Sequence, residues 1–291
     1  MASLSTVTVL PAFGAGFDST HGAWNALLKE VVVASEGGRS TLVRYSLLKG
    51  APAELDAVLA AYSELPEAGY QALAPDDRLA FLINAYNAFT LKLIIDHYPL
   101  KSIRSIGWIF GAAWRMDFFT LRGAKRTLDD LEHRMIRVEF KEPRIHFAVN
   151  CASKGCPSLR AEAYVGARLD AQLDEQTRLF LGDPARNAYD PASRTLSASK
   201  IFDWYGGDFS PSGDEDGVAA FAARYLPALA ADLGSGESTS EGGSEGKAKA
   251  DADVKPSQNQ GQNQKPNLNP KTKVKVKVKW SDYDWGLNDT P

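Results

Sequence analysis

Cys151 and Cys156 are the only cysteines of the chain, and they lie five positions apart in Arg144-Ile-His-Phe-Ala-Val-Asn-Cys-Ala-Ser-Lys-Gly-Cys-Pro-Ser-Leu-Arg160, which also holds His146. A short apolar run gives way there to a small, polar loop broken by Gly and Pro. A cysteine at such a point can have its pKa lowered by backbone N–H groups and a nearby imidazole. A Cys151 thiolate would attack the carbonyl of an amide or thioester, with loop amides such as those of Ala152 and Ser153 stabilising the oxyanion.

Such a nucleophile needs a base. If residues 144–150 form an extended strand, His146 and Cys151 are separated by roughly 16 Å and point to opposite faces, which disqualifies His146 unless the chain turns back sharply. His133 is then the better base. It sits on a helix expected over residues 127–138, which leads through a short loop into the strand. Neighbouring helical positions point about 100° apart, so Glu132 would not orient His133. Asn84 or Asn87 is the candidate orienting group, completing a thiol–imidazole–amide set.

Each of these residues also has a plainer reading. Cysteine is among the most buried residue types and packs as a small hydrophobe. His146 reads equally as a hydrogen-bonded structural histidine. Asn84 and Asn87 share a helix face and can tie that helix to a neighbouring loop. Trp204, Tyr205 and Phe209 read as a packed corner first and a substrate-facing aromatic wall second. Cys-x4-Cys without a second ligand pair, and four scattered histidines (His21, His97, His133, His146), argue against a metal site. No cofactor-binding motif is present.

The elements that must position these residues follow from periodicity. Helices are expected over residues 18–33, 53–65, 75–98, 127–138, 169–181 and 217–233. Residues 75–98 open on Pro-Asp-Asp and are apolar on nearly every face, as a buried central helix is. Thr127-Leu-Asp-Asp130 resembles a capping box. Residues 41–48 suggest a short strand or turn, and residues 188–197 a hairpin around Asp190-Pro191. Residues 234–272 turn to Gly, Ser, Glu, Asn, Gln, Lys and Pro, a composition expected to be disordered. Lys273-Val-Lys-Val-Lys-Val-Lys-Trp280 then alternates with period two, as a half-exposed strand does.

At 291 residues, with 44% hydrophobic and 24% charged residues, the composition is that of an ordinary globular protein. A formal charge of −3 predicts no nucleic-acid partner. No run approaches 18 uncharged apolar residues, so no membrane span is expected, and the N-terminus lacks a signal-peptide pattern. A cytoplasmic location is the default, with a processed secreted form left open.

Five segments together resemble the domain-of-unknown-function family numbered 547: Leu82-Ile-Asn-Ala-Tyr-Asn-Ala88, Leu131-Glu-His-Arg-Met-Ile-Arg137, Ile145-His-Phe-Ala-Val-Asn-Cys-Ala-Ser-Lys-Gly-Cys-Pro157, Lys200-Ile-Phe-Asp-Trp-Tyr-Gly-Gly-Asp-Phe209 and Asp282-Tyr-Asp-Trp-Gly-Leu-Asn288. The resemblance implies that 282–288 is the closing motif of the domain and that 234–272 is an insertion. It also implies that Cys156 stands where some members have serine, against an obligatory disulfide. Plant relatives carry the domain behind coiled-coil segments, an arrangement typical of adaptors.

The expected architecture is a single α+β domain over residues 17–289, after a flexible N-terminus at 1–16. A small, mostly antiparallel sheet is flanked by helices around one buried central helix, with a papain- or transglutaminase-like arrangement by analogy. Two functions stay open. One is a cysteine-dependent hydrolase or acyl transferase acting through Cys151 on a small-molecule or peptide substrate. The other is a non-catalytic adaptor domain that binds a protein partner and in which Cys151 is structural.

Overall fold

The computed structural model describes residues 17–35, 37–109, 111–234 and 275–291. The expected flexible N-terminus and almost all of the expected insertion lie outside the described residues. In chain order the elements begin with α1 (Gly22–Val31), β1 (Val32–Ala34), β2 (Thr41–Val43), α2 (Tyr45–Gly50), α3 (Ala53–Glu64), α4 (Glu67–Ala72) and α5 (Pro75–His97). They continue with β3 (Phe119–Leu121), β4 (Ala124–Arg126), a π-helical stretch Asp130–Ile136, α6 (Arg137–Phe140), a 3-10 helix Pro143–Phe147 and α7 (Leu169–Leu181). The last elements are β5 (Ala188–Asp190), β6 (Thr195–Ala198), α8 (Lys200–Trp204), α9 (Gly206–Phe209), α10 (Glu215–Ala223), α11 (Pro227–Gly234) and β7 (Lys277–Trp280).

The molecule is mixed α and β, with helices predominating. Instead of one sheet, the described residues form three small ones: the antiparallel pairs β1–β2 and β3–β4, and a three-stranded sheet in the order β5–β6–β7. The closing strand does join the domain, running parallel to β6 with Leu196 opposite Val278 and Ala198 opposite Trp280. Its lysines point outward while Val276 is buried. The helix expected over 217–233 is two helices, because Pro227 cannot donate a helical N–H and starts α11 afresh.

Helix α5 is the centre of the larger of two hydrophobic cores. Pro75 at its first turn, Asp76 and Asp77 beside its N-terminus, and Pro99 beyond its end set its limits. By length and mean hydropathy alone it could cross a membrane, yet 89% of its apolar window is buried inside the protein. Helices α2 and α3 pack along it. The second core gathers Phe147, Phe180, Phe202, Phe209 and Phe221.

Residues 144–150 do not form a strand. Pro143 presets a helical φ, and the Glu142 carboxylate accepts from the Arg144 backbone N–H at 3.0 Å, so the segment winds into a 3-10 helix. Ala148 N and Val149 N then bond back to Ile145 O at 2.9 and 3.0 Å. A short apolar run fits strand and buried helical turn alike, and among the described residues no strand pairs with it. Ile145, Ala148 and Val149 face the α5 core while Phe147 enters the second core, so this turn bridges the two.

The expected helix over 127–138 is present but distorted. Thr127 and Asp130 form a reciprocal cap, Asp130 N to Thr127 Oγ1 at 2.9 Å and Thr127 N to Asp130 Oδ2 at 3.1 Å. The following turn is π-helical, a form that recurs at functional sites.

Within the α5 core, His21 is 3% exposed and its Nδ1 lies 3.1 Å from the Tyr62 hydroxyl. Burial pulls its pKa from 6.5 down to about 4. The unfolded chain therefore takes up this proton first as pH falls. The contribution is whole above pH 6.5 and is lost down to about pH 4, by about 3 kcal/mol. Urea unfolding at pH 7 and pH 4 is expected to show a smaller acid loss in His21→Gln than in the wild type. An equal loss in both would show that His21 is not the group responsible.

Candidate functional site

Cys151 lies where the two cores meet, directly after the 3-10 turn. The turn is anchored to α5 through Asn87, whose Nδ2 donates to Ala148 O at 3.0 Å and whose Oδ1 accepts from Asn150 N at 2.8 Å. Asn150 in turn closes the cysteine loop, with its Nδ2 on Pro157 O at 2.7 Å and its Oδ1 accepting from Ala152 N at 2.9 Å. That short turn holds Ala152 at φ +62°, in the left-handed region that a residue with a Cβ rarely occupies. Backbone strain thus sits on the residue next to the candidate nucleophile.

The C-terminal segment forms the other side of the loop. Lys154 N bonds to Gly286 O and Gly155 N to Asp284 O, both at 2.8 Å, and Asn288 N bonds to Ala152 O at 3.1 Å. Gly155 is required by this approach: a Cβ there would meet Asp284 N at 2.9 Å and Asp284 O at 3.0 Å. The ladder brings the Tyr283 hydroxyl to 3.2 Å from Cys151 Sγ. Tyr45 holds the same segment through Asn288 Oδ1 at 2.8 Å.

Cys151 is half-buried and Cys156 is buried, and both are free thiols. The Cys151 backbone N–H donates to Cys156 Sγ at 2.9 Å. A hydrogen bond from the Cys156 thiol favours the Cys151 thiolate most. Burial opposes it by less, and hydrogen bonds from Tyr283 and Ser153 add to the effect of Cys156, so the Cys151 pKa falls below its ordinary value. Burial pushes the Cys156 pKa well up and does the same to Tyr283, so both remain donors.

A cavity of about 450 Å³ opens onto Cys151, and both histidines reach it. His146 Nε2 is 2.6 Å from Asp208 Oδ2, and its ring stacks on Tyr205 with centroids 4.0 Å apart. Arg137 grips the same carboxylate with both arms, Nε at 2.6 Å and Nη2 at 2.9 Å. Burial would raise the Asp208 pKa, but His146 and Arg137 outweigh it and hold that carboxyl well below the usual range. Asp208 therefore accepts a hydrogen bond from Nε2–H, which leaves His146 Nδ1 as the nitrogen without a proton. That nitrogen has no hydrogen bond among the described residues and lies 4.0 Å from Glu132 Oε1.

His133 is differently engaged. Its Nδ1 accepts from Arg137 Nη1 at 3.2 Å, and its Nε2 lies 3.8 Å from Asp129 Oδ1. The strand distance that favoured it over His146 does not apply, because residues 143–147 are wound and the chain turns back. Asn84 and Asn87 orient neither imidazole. Asn84 is spent on Tyr164, giving Nδ2 to its carbonyl at 2.7 Å and accepting from its N–H at 3.0 Å. The proposed oxyanion donors are likewise taken: Ala152 N–H by Asn150, Ser153 N–H by the Cys151 sulfur.

Asp208, Tyr283 and Glu132 are the site residues that chemistry-led reading passed over. All three stand in segments quoted for the family resemblance, which is the signal that could have found them. Trp204 and Tyr205 do line the cavity, whereas Phe209 packs into the second core. Among the described residues no group of three His, Cys, Asp or Glu is placed to share a metal ion.

Asn87→Ala would leave Ala148 O and Asn150 N unpaired in the interior, at a cost of about 3 kcal/mol. The expected result is a lower urea midpoint together with slower thiol alkylation, because the cysteine loop loses its anchor. Full stability in Asn87→Ala would refute this role.

No curated protein and no solved structure matches the chain. Helix α5, the capped π-helical stretch, the 3-10 turn and the cysteine loop nevertheless all fall within residues 70–181, and over that stretch the chain matches the family described as Protein of unknown function, DUF547.

Proposed function

We propose that the chain is a cysteine-dependent hydrolase or acyl transferase acting on an amide or thioester. The observation that carries this reading is the sharing of one cavity by a thiol of lowered pKa and by His146, whose Nε2 lies 2.6 Å from Asp208. In this scheme Cys151 is the nucleophile, His146 Nδ1 the base and Asp208 the group that fixes the imidazole tautomer.

His146 Nδ1 takes the Cys151 thiol proton, and the thiolate attacks the carbonyl carbon, forming a C–S bond and an oxyanion. The Tyr283 hydroxyl, 3.2 Å from the sulfur and released from it as its charge disperses, is a donor for that oxygen. Collapse breaks the bond to the amine or thiol leaving group, which takes its proton from His146. Water or a second nucleophile then gives its proton back to His146 and takes the acyl group from sulfur. This is the residue logic of papain-like and transglutaminase-like enzymes, reached by analogy of chemistry.

Alkylation of Cys151 by iodoacetamide is expected to rise with pH around a midpoint below the ordinary thiol value of about 8.5. Cys156→Ala should move that midpoint upward, since it removes the leading stabilising hydrogen bond. Thioester hydrolysis should vanish in Cys151→Ser and fall about 100-fold in Asp208→Asn or His146→Ala. A midpoint at or above 8.5 with Asp208→Asn unchanged would leave Cys151 structural, as in a domain that only binds a protein partner.

A further inference from the structure

The cavity beside Cys151 is built from rings and carboxylates. Trp204, 46% exposed, lies 4.9 Å from Tyr283 and 5.7 Å from Trp285, and Trp114 closes on Trp285 at 6.1 Å, so these four rings make one continuous wall. Two of the rings lining the cavity already carry a guanidinium on a face: Arg104 lies 5.0 Å from the Trp285 centroid and Arg137 lies 5.1 Å from that of Tyr205. Rings so placed attract cations through their negative faces, tryptophan most strongly.

The same cavity is also lined by Asp129 and Glu132, against one lining arginine, Arg115. Arg137 spends its contacts on Asp208 and acts on Glu132 only through space. Glu132 is only 6% exposed, accepts a hydrogen bond from the Tyr205 hydroxyl, and has two imidazole nitrogens at 4.0 Å. Among the described residues no lysine or arginine nitrogen lies within 4.0 Å of it. A buried carboxylate without a contacting permanent cation is costly to hold, and a ligand cation is what relieves it. An anionic ligand would meet repulsion there, and a neutral one would leave the charge uncompensated.

We propose that this cavity takes a substrate bearing a cationic group, a primary ammonium or a guanidinium, held between Glu132 and the Trp204 face. The thiol reading supplies only which end of that substrate reacts, and the binding itself does not depend on it. The Cys151→Ala protein therefore separates the two. Its tryptophan fluorescence is titrated with n-butylammonium, n-butanol and n-butyrate at neutral pH and low salt.

The expected result is saturation by butylammonium at a concentration at least about tenfold below that of butanol, with butyrate weakest. Glu132→Gln in the same background should abolish the difference, and Trp204→Ala should weaken butylammonium about fivefold. Trp204 is half-exposed, so this second variant decides the matter even where Glu132→Gln does not fold. Equal binding of butanol and butylammonium would overturn the proposal. So would an ammonium preference that survives either substitution in folded protein. Loss of thioesterase chemistry in the wild-type protein would leave this binding result untouched.

Discussion

The site depends on a backbone ladder between two segments far apart in the chain, the cysteine loop and the C-terminal residues 284–288. Three main-chain bonds and the close passage of Gly155 over Asp284 hold them in register. Without this ladder the loop would have no outer wall, Tyr283 would not reach the sulfur, and Trp285 would not meet Trp114. The same C-terminal segment continues to Val43, whose N–H bonds Asn288 O at 2.8 Å, and so ties the site to the first sheet as well. Closing so long a loop costs only slowly growing entropy, which a few buried hydrogen bonds and aromatic contacts can offset.

Electrostatics then grades the groups that the ladder collects. Arg137 fixes Asp208, Asp208 fixes one nitrogen of His146, and the other nitrogen lies 4.0 Å from Glu132 Oε1. The two thiols are split in the same way: the more deeply buried Cys156 keeps its proton and offers it to Cys151. Like groups in unlike surroundings acquire different protonation states, and that difference gives the pair a direction.

Much of the scaffold was legible because it follows from local rules. The buried helix α5, the capping box at Thr127, the hairpin β5–β6 and the closing strand β7 each rest on periodicity or capping within a few residues. The strand expected over 144–150 was misread because four apolar residues in seven fit either a strand or a buried 3-10 turn. That misreading passed directly into the site, since it ranked His146 behind His133. Asn84 and Asn87 were correctly suspected of being special, yet their amides serve the backbone of Tyr164, Ala148 and Asn150 rather than an imidazole.

The sequence by itself determined which side chains could do chemistry and where the special loop lies, because residue type and local spacing suffice for that. It also marked Asp208 and Tyr283 as parts of recurring segments without giving them a task. Only the tertiary structure decided the partners, since a hydrogen bond between His146 and Asp208, or Cys151 and Tyr283, joins residues 62 or 132 positions apart. Neighbours at that separation are chosen by the packing of two cores around one turn, and no local pattern encodes it.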